Sequence, residues 1–271
     1  MMVEVEQHAA SNGAGRAPAA YSEVSSRVAR RIWGSPEAIM LIFAGSAAEF
    51  AVSKAVDWLF WTNALPDAPI ERFFETVRFA QQLAFGDEGQ IAAAIEGVNR
   101  AHRGVERSRG DRIPQWAYRD VLFMLIDYGE RAHAVVFGPM SDDERVEHYR
   151  ASIAIGRALH IEGLPDDYAE YQALRQSHLD ANTEHSRFTE LLYARYREHL
   201  GPWRMRALLD LQASLVPRRI AHLLDLRRKA RVDRLLRAYR PLLQGRRLRW
   251  LYPLLLPRPH GAALAGLERV V

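Results

Sequence analysis

The sequence predicts an all-α protein, a single multi-helix, bundle-like domain, and three observations predict it. Apolar residues recur at helical spacing instead of alternating: Ile91, Ile95, Val98, His102 and Val105 advance by four, three, four and three, so all five share one helix face. Helix starts are written locally, as a serine cap, first-turn proline and dipole-favoured acid at Ser35-Pro36-Glu37 and as a capping box from Ser141 to Glu144. No strand ladder is legible. The 271 residues, 48% of them hydrophobic, are enough for a substantial core.

Taken in order, residues 1–22 begin acidic, lack the apolar segment of a secretory signal, and continue small and polar; they are expected to form a disordered tail. The helix opening at Ser35 carries Ile39, Met40, Ile42 and Phe43, and then Phe50, Val52, Val56, Leu59 and Phe60, with Gly45 and Ser46 as a bend. Asp57, beside Trp58 and Trp61, is a candidate base or, more ordinarily, an exposed aspartate. In the helix of residues 69–84, Arg72 and Thr76 stand one above the other beside Ile70, Phe73, Phe74, Val77 and Ala80. A cation and a hydroxyl on the border of a Phe-rich surface suit a polar corner of an apolar pocket, and equally a solvent-facing edge.

His102 is the one polar member of its stripe. A buried imidazole left unpaired costs roughly 1–3 kcal/mol, so it needs a carbonyl, a carboxylate, a water or a metal. Glu130-x-x-His133, on the helix opened by Pro114, has the spacing of half a di-iron carboxylate site. No second Glu-x-x-His exists; Glu147-His148, Glu184-His185 and Glu198-His199 are adjacent pairs, which point about 100° apart on a helix and cannot clasp one ion. Helices are further expected from Ser141 to near His160, from Pro165-Asp166 through Leu179, and from about Asn182 to a stop at Gly201-Pro202. Gly156 marks tight packing within the first of these.

There is no cysteine, which excludes disulfides, iron–sulfur clusters and a thiolate-ligated haem. Net charge is +4, nearly all of its cations arginine, with Lys54 and Lys229 the only lysines; arginine usage of this kind does not point to nucleic acid. No run reaches the ~18–20 uncharged apolar residues of a membrane span, and a cytoplasmic protein is expected. Residues 23–200 form the expected core, and residues 201–271 a basic helical part packed on it. There Arg227, Arg228, Lys229, Arg231, Arg234, Arg237 and Arg240 interleave with Leu235, Leu236 and Leu242, followed by the proline-broken apolar run 250–257. Basic amphipathic helices suit an anionic membrane surface or an acidic partner; an arginine-rich solvated face is the commoner meaning.

The order of segments carries a resemblance. Arg-x-x-x-Thr at Arg72–Thr76 is followed by Asn-Arg-x-His-Arg at Asn99–Arg103, then Trp116 and a long helix ending at Phe137-Gly138-Pro139. Ser-Asp-Asp-Glu-Arg at Ser141–Arg145 comes next, then Gly156-Arg157-Ala158-Leu159 running into Gly163-Leu164-Pro165. This succession resembles the MpaB/rubber-oxygenase (latex-clearing protein) family of haem-dependent oxygenases. The resemblance implies a helical domain enclosing a haem and substrate pocket, and haem b, with its iron, as cofactor. It implies His102 as the proximal metal ligand, and Arg72 and Thr76 as polar residues of the catalytic, cofactor-facing pocket. It also implies O2 and a small lipophilic, unsaturated, isoprenoid-like substrate as partners. Arg103, next to His102, is a candidate for a haem propionate on charge and proximity alone. Where the rubber-cleaving branch has a lysine able to cap the iron, this chain has Glu75, and a carboxylate cannot do an amine's job. The competing expectation is a non-catalytic helical module peripheral to a membrane.

Overall fold

A computed structural model describes residues 23–61, 69–244 and 266–268. The expected tail at residues 1–22 and the apolar run 250–257 lie outside the described residues. Within them the chain is all helix: α1 (Arg27–Trp33), α2 (Pro36–Ala51), α3 (Val56–Trp61), α4 (Pro69–Phe85), α5 (Glu88–Arg109) and α6 (Gln115–Val136) are followed by α7 (Asp142–Ala158), α8 (Tyr168–Asn182), α9 (Arg187–Leu215), α10 (Arg218–Leu223) and α11 (Ala230–Gln244). No strand occurs among the described residues; one isolated bridge joins Ser53 to Thr183.

Local chemistry sets the helix starts. The Ser35 side chain accepts from the Ala38 N–H at 3.2 Å and Pro36 follows in the first turn. Ser141 and Glu144 cap each other's backbones, and Asp87 with Gln90 does the same for α5. Gly110, with φ 71°, ends α5 in the left-handed conformation that favours glycine.

The helix from Ser35 is shorter than its apolar pattern predicts. α2 ends at Ala51 and the chain restarts as α3 at Val56. Between them Lys54 donates its N–H to Asn182 and Glu184 donates its N–H to Val52; these tertiary bonds to the segment after α8 replace helical ones. Gly45 does not bend α2. It is the seat of the Tyr128 ring, which lies where a Cβ would be. Gly156 lets α7 close on its neighbours, since a Cβ there would stand 2.6 Å from a Leu122 methyl. At Gly201 (φ 73°, ψ 173°) the helical path breaks, but helix resumes at Pro202 and continues to Leu215; the expected stop is a kink.

α2 is buried on nearly every side, packed chiefly on α6 and α9. Ile42, Ala48, Tyr128, Ala132, Val136 and Leu215 are among the residues that form the central core there. A buried ion network crosses this core. Arg175 of α8 donates to both oxygens of Glu49 (2.5 and 2.7 Å) and to Asp127 (2.9 Å), which also accepts from Arg131 (2.6 Å). The fully buried Tyr128 hydroxyl beside this network has no hydrogen-bond partner among the described residues.

Candidate functional site

The residues singled out in the sequence lie on α4 and α5. On α4, Phe74 and Val77 are buried against Ile39 and Leu267, with Phe73 meeting Phe43 edge to face at 4.3 Å. Arg72 and Thr76 stand on the border of this apolar bank. Arg72 is exposed and pairs with Glu75 at 2.8 Å. The Thr76 hydroxyl turns back to donate to the Arg72 carbonyl at 3.0 Å.

On α5, Ile91 and Ile95 are buried against Leu83 and Ala154, and Val98, His102 and Val105 are half-buried. The fully buried polar group of this helix is Asn99, which donates to the Ala158 carbonyl at 3.4 Å. One turn further on, the His102 ring lies against Tyr118 of α6, centroids 4.9 Å apart. No hydrogen bond to either His102 ring nitrogen occurs among the described residues. Burial lowers the ring's pKa below its ordinary value; nearby Glu106 works against this and nearby Arg72 adds to it. The ring is therefore held neutral, the form of imidazole that binds metals.

Arg72 and His102, thirty residues apart in sequence, are thus brought within electrostatic reach of one another. Arg103 is not part of this grouping. It points about 100° from His102 around the helix, is exposed, and pairs with Glu96 at 2.7 Å.

Two residues at the site are absent from the sequence-based reading. Glu106 Oε1 accepts from the Ile113 N–H at 3.0 Å and from the Tyr118 hydroxyl at 3.4 Å, which fixes a carboxylate one turn past His102. Burial raises the Tyr118 pKa, with Glu106 adding to the rise. Glu106 was available from its i, i+4 spacing to His102. Tyr118 sits across the α5–α6 loop and has no such signal.

The other candidates are engaged elsewhere. Asp57 accepts from Arg109 at 2.8 Å, and the Arg109 guanidinium stacks 3.8 Å over Trp58. Glu130 accepts twice from the Tyr168 hydroxyl. His133 donates through Nδ1 to the Gly138 carbonyl at 2.9 Å and turns Nε2 to Arg31. Glu130 and His133 therefore do not converge, and among the described residues no group of three or more carboxylate or histidine side chains is placed to hold a metal ion. Of the described cavities, one opens between Ser26 and Glu147 and a small one lies beside Arg175 and His178; neither is lined by His102, Arg72, Glu106 or Tyr118.

The groups around His102 are of the kind a haem site can use: an imidazole kept neutral by burial, with no hydrogen-bond partner among the described residues, and the charges of Glu106 and Arg72 within electrostatic reach of it. Comparison with known proteins bears on this site. No curated protein and no solved structure gave a match. The family model described as ER-bound oxygenase mpaB/B′/rubber oxygenase, catalytic domain, matches residues 30–245, a span that contains every site residue named above. The chain belongs to this family of oxygenases.

Proposed function

We propose that this domain is a haem b-dependent oxygenase that acts with O2 on a lipophilic, unsaturated, isoprenoid-like substrate. The observation that carries the reading is the His102 ring: kept neutral by burial, without a hydrogen-bond partner among the described residues, and within electrostatic reach of a Glu106 carboxylate that is held in place. In this reading His102 would hold the iron of the haem. Glu106, one turn on and acting on the ring electrostatically, would be the acceptor for the N–H of the other ring nitrogen, and so would set the tautomer and the basicity of the ligand. Ile113 and Tyr118 keep the Glu106 carboxylate from swinging away.

Haem supplies the oxygen chemistry when bound; the protein supplies position, polarity and dryness. The Arg72 cation offers a counter-charge to the cofactor's carboxylates, and Glu75 and the Thr76 back-bond hold its side chain and helical turn. The bank formed by Phe43, Phe73 and Phe74 gives a hydrocarbon substrate an apolar wall next to that polar border. Arg103, already engaged with Glu96, contributes to the propionates only by exchanging that partner. No helix among the described residues is long and apolar enough to cross a membrane.

The test is optical. Purified protein reconstituted with haem b is expected to show a Soret band, and His102→Ala is expected to abolish it while leaving the helical circular dichroism unchanged. Wild-type protein that stays colourless under full haem loading overturns the reading. Once haem binding is established, mass spectrometry after incubation with a panel of isoprenoid and unsaturated lipids identifies the substrate.

A further inference from the structure

The last helix, α11, has two faces of opposite character. Lys229, Asp233, Leu236 and Arg240 recur at four, three and four residues and form its inner side. Lys229 reaches Asp210 of α9, Asp233 bonds with Ser214 of the same helix, and Arg240 donates to the backbone carbonyls of Ala134 (2.8 Å) and Val135 (3.1 Å) at the end of α6. Opposite them, Arg231, Arg234, Leu235 and Ala238 follow i, i+3, i+4 and i+7 and form an outward stripe. All four are exposed, with Arg237 exposed at the margin. Leu235 is 54% exposed among these cations.

What separates this stripe from an ordinary solvated face is its lack of acids. Several exposed arginines elsewhere take nearby acidic partners, as in Arg72–Glu75, Arg103–Glu96, Arg145–Asp142 and Arg195–Glu198, whereas the outward stripe of α11 groups its cations on one helix face with no acid among them. The one acid of α11, Asp233, is turned inward and also holds Arg228 at 2.7 Å. Arg231 and Arg234 have no ion pair among the described residues, while Arg237 acts electrostatically on Asp233. Since Lys229 meets Asp210 and Asp233 meets Ser214, α11 runs parallel to the second half of α9.

We infer that the outer face of α11 docks on an anionic phospholipid surface, with Arg231, Arg234 and Arg237 on the headgroups and Leu235 dipping between them. The charge is of the right sign, Arg231 and Arg234 carry no acidic partner among the described residues, and Leu235 is placed where a basic interfacial helix carries its apolar residues. Because α11 is anchored to α6 and α9 through its other face, docking needs no unfolding. The inference is independent of haem.

The test is co-sedimentation of the full chain with vesicles of phosphatidylcholine alone and of phosphatidylcholine mixed equally with phosphatidylserine. Wild-type protein is expected to bind the mixed vesicles, to ignore the neutral ones, and to release as salt is raised. Each arginine near the surface contributes about a kcal/mol, so Arg231→Gln/Arg234→Gln/Arg237→Gln should lower partitioning about a hundredfold. Leu235→Ala should weaken binding several-fold and keep its salt dependence. The control is Arg100→Gln/Arg107→Gln/Arg112→Gln, which removes the same charge from exposed positions on and just after α5 and should change nothing. Equal losses in both triple variants would show a net-charge effect and overturn the assignment to α11. Absence of vesicle binding beside salt-sensitive retention on duplex DNA would overturn it in favour of a nucleic acid.

Discussion

Single residues set how this protein responds to pH, and two of them pull in opposite directions. Burial raises the Glu130 pKa from 4.5 to about 7, against the opposing Tyr168 hydrogen bond. Burial lowers the His148 pKa from 6.5 to about 4. Above pH 7 the folded state carries a charged, mostly buried Glu130 that the unfolded chain solvates freely. That penalty, up to roughly 3 kcal/mol at 1.4 kcal/mol per pH unit, disappears as the pH falls from 7 to 4.5. His148 does the reverse: the unfolded chain takes up a proton below pH 6.5 that the folded state refuses until about 4, so a similar amount of stability is lost over that window. His102 and His133, both lowered by burial, add to the acid-side loss. Glu130→Gln is therefore expected to exceed wild type in stability at pH 8, and to lose that advantage at pH 4.5, in urea titrations at the two values. An unchanged difference between the two pH values would show that Glu130 does not titrate as described. The same scale shows what sequence could reveal of the site. His102 stood out because one imidazole interrupts a hydrocarbon stripe, whereas Tyr118 reaches it from another helix and leaves no periodic trace.

Between helices, the strongest polar tie is Arg175, which joins α8 to Glu49 of α2 and Asp127 of α6. Breaking a buried pair by removing one partner leaves uncompensated charge inside and typically costs about 3–5 kcal/mol. Arg175→Leu should lose that much in equilibrium urea unfolding, and a loss below about 1 kcal/mol would mean water already screens the network. None of this tie was visible in the sequence, where Glu49, Asp127 and Arg175 read as separate polar positions on separate helices. The helix starts were visible, because a cap depends on residues three apart. The break between α2 and α3 was not: Phe50, Val52, Val56 and Phe60 continue an apolar pattern, and the helix is cut by hydrogen bonds from the distant residues Asn182 and Glu184. The kink at Gly201 was misjudged as a stop because glycine followed by proline ends a helix and re-starts one with the same two residues.

For the whole molecule, composition and period were sufficient to give an all-helical body, and the order of short motifs was sufficient to give the family. The packing of α2 at the centre, with helices on nearly every side, follows from its lack of any polar face. Where α11 lies depends instead on Lys229, Asp233 and Arg240 finding partners on α6 and α9, contacts that no local pattern announces. Helix α11 therefore resolves into one side committed to the fold and one side left over.

The middle of the protein also contains a donor with no acceptor among the described residues. Tyr128 fills the hollow above Gly45 with its ring, and its hydroxyl contributes no bond in return. Phenylalanine would occupy the same hollow and carry no stranded oxygen, and relieving an unmet buried group is worth about 1 kcal/mol or more. Tyr128→Phe is accordingly expected to raise the melting temperature by roughly 2–4 °C in calorimetry, and a drop would mean that a water held there satisfies the oxygen. If it rises, a one-atom deletion at the heart of the bundle offers a hardier starting point for every substitution that weakens it.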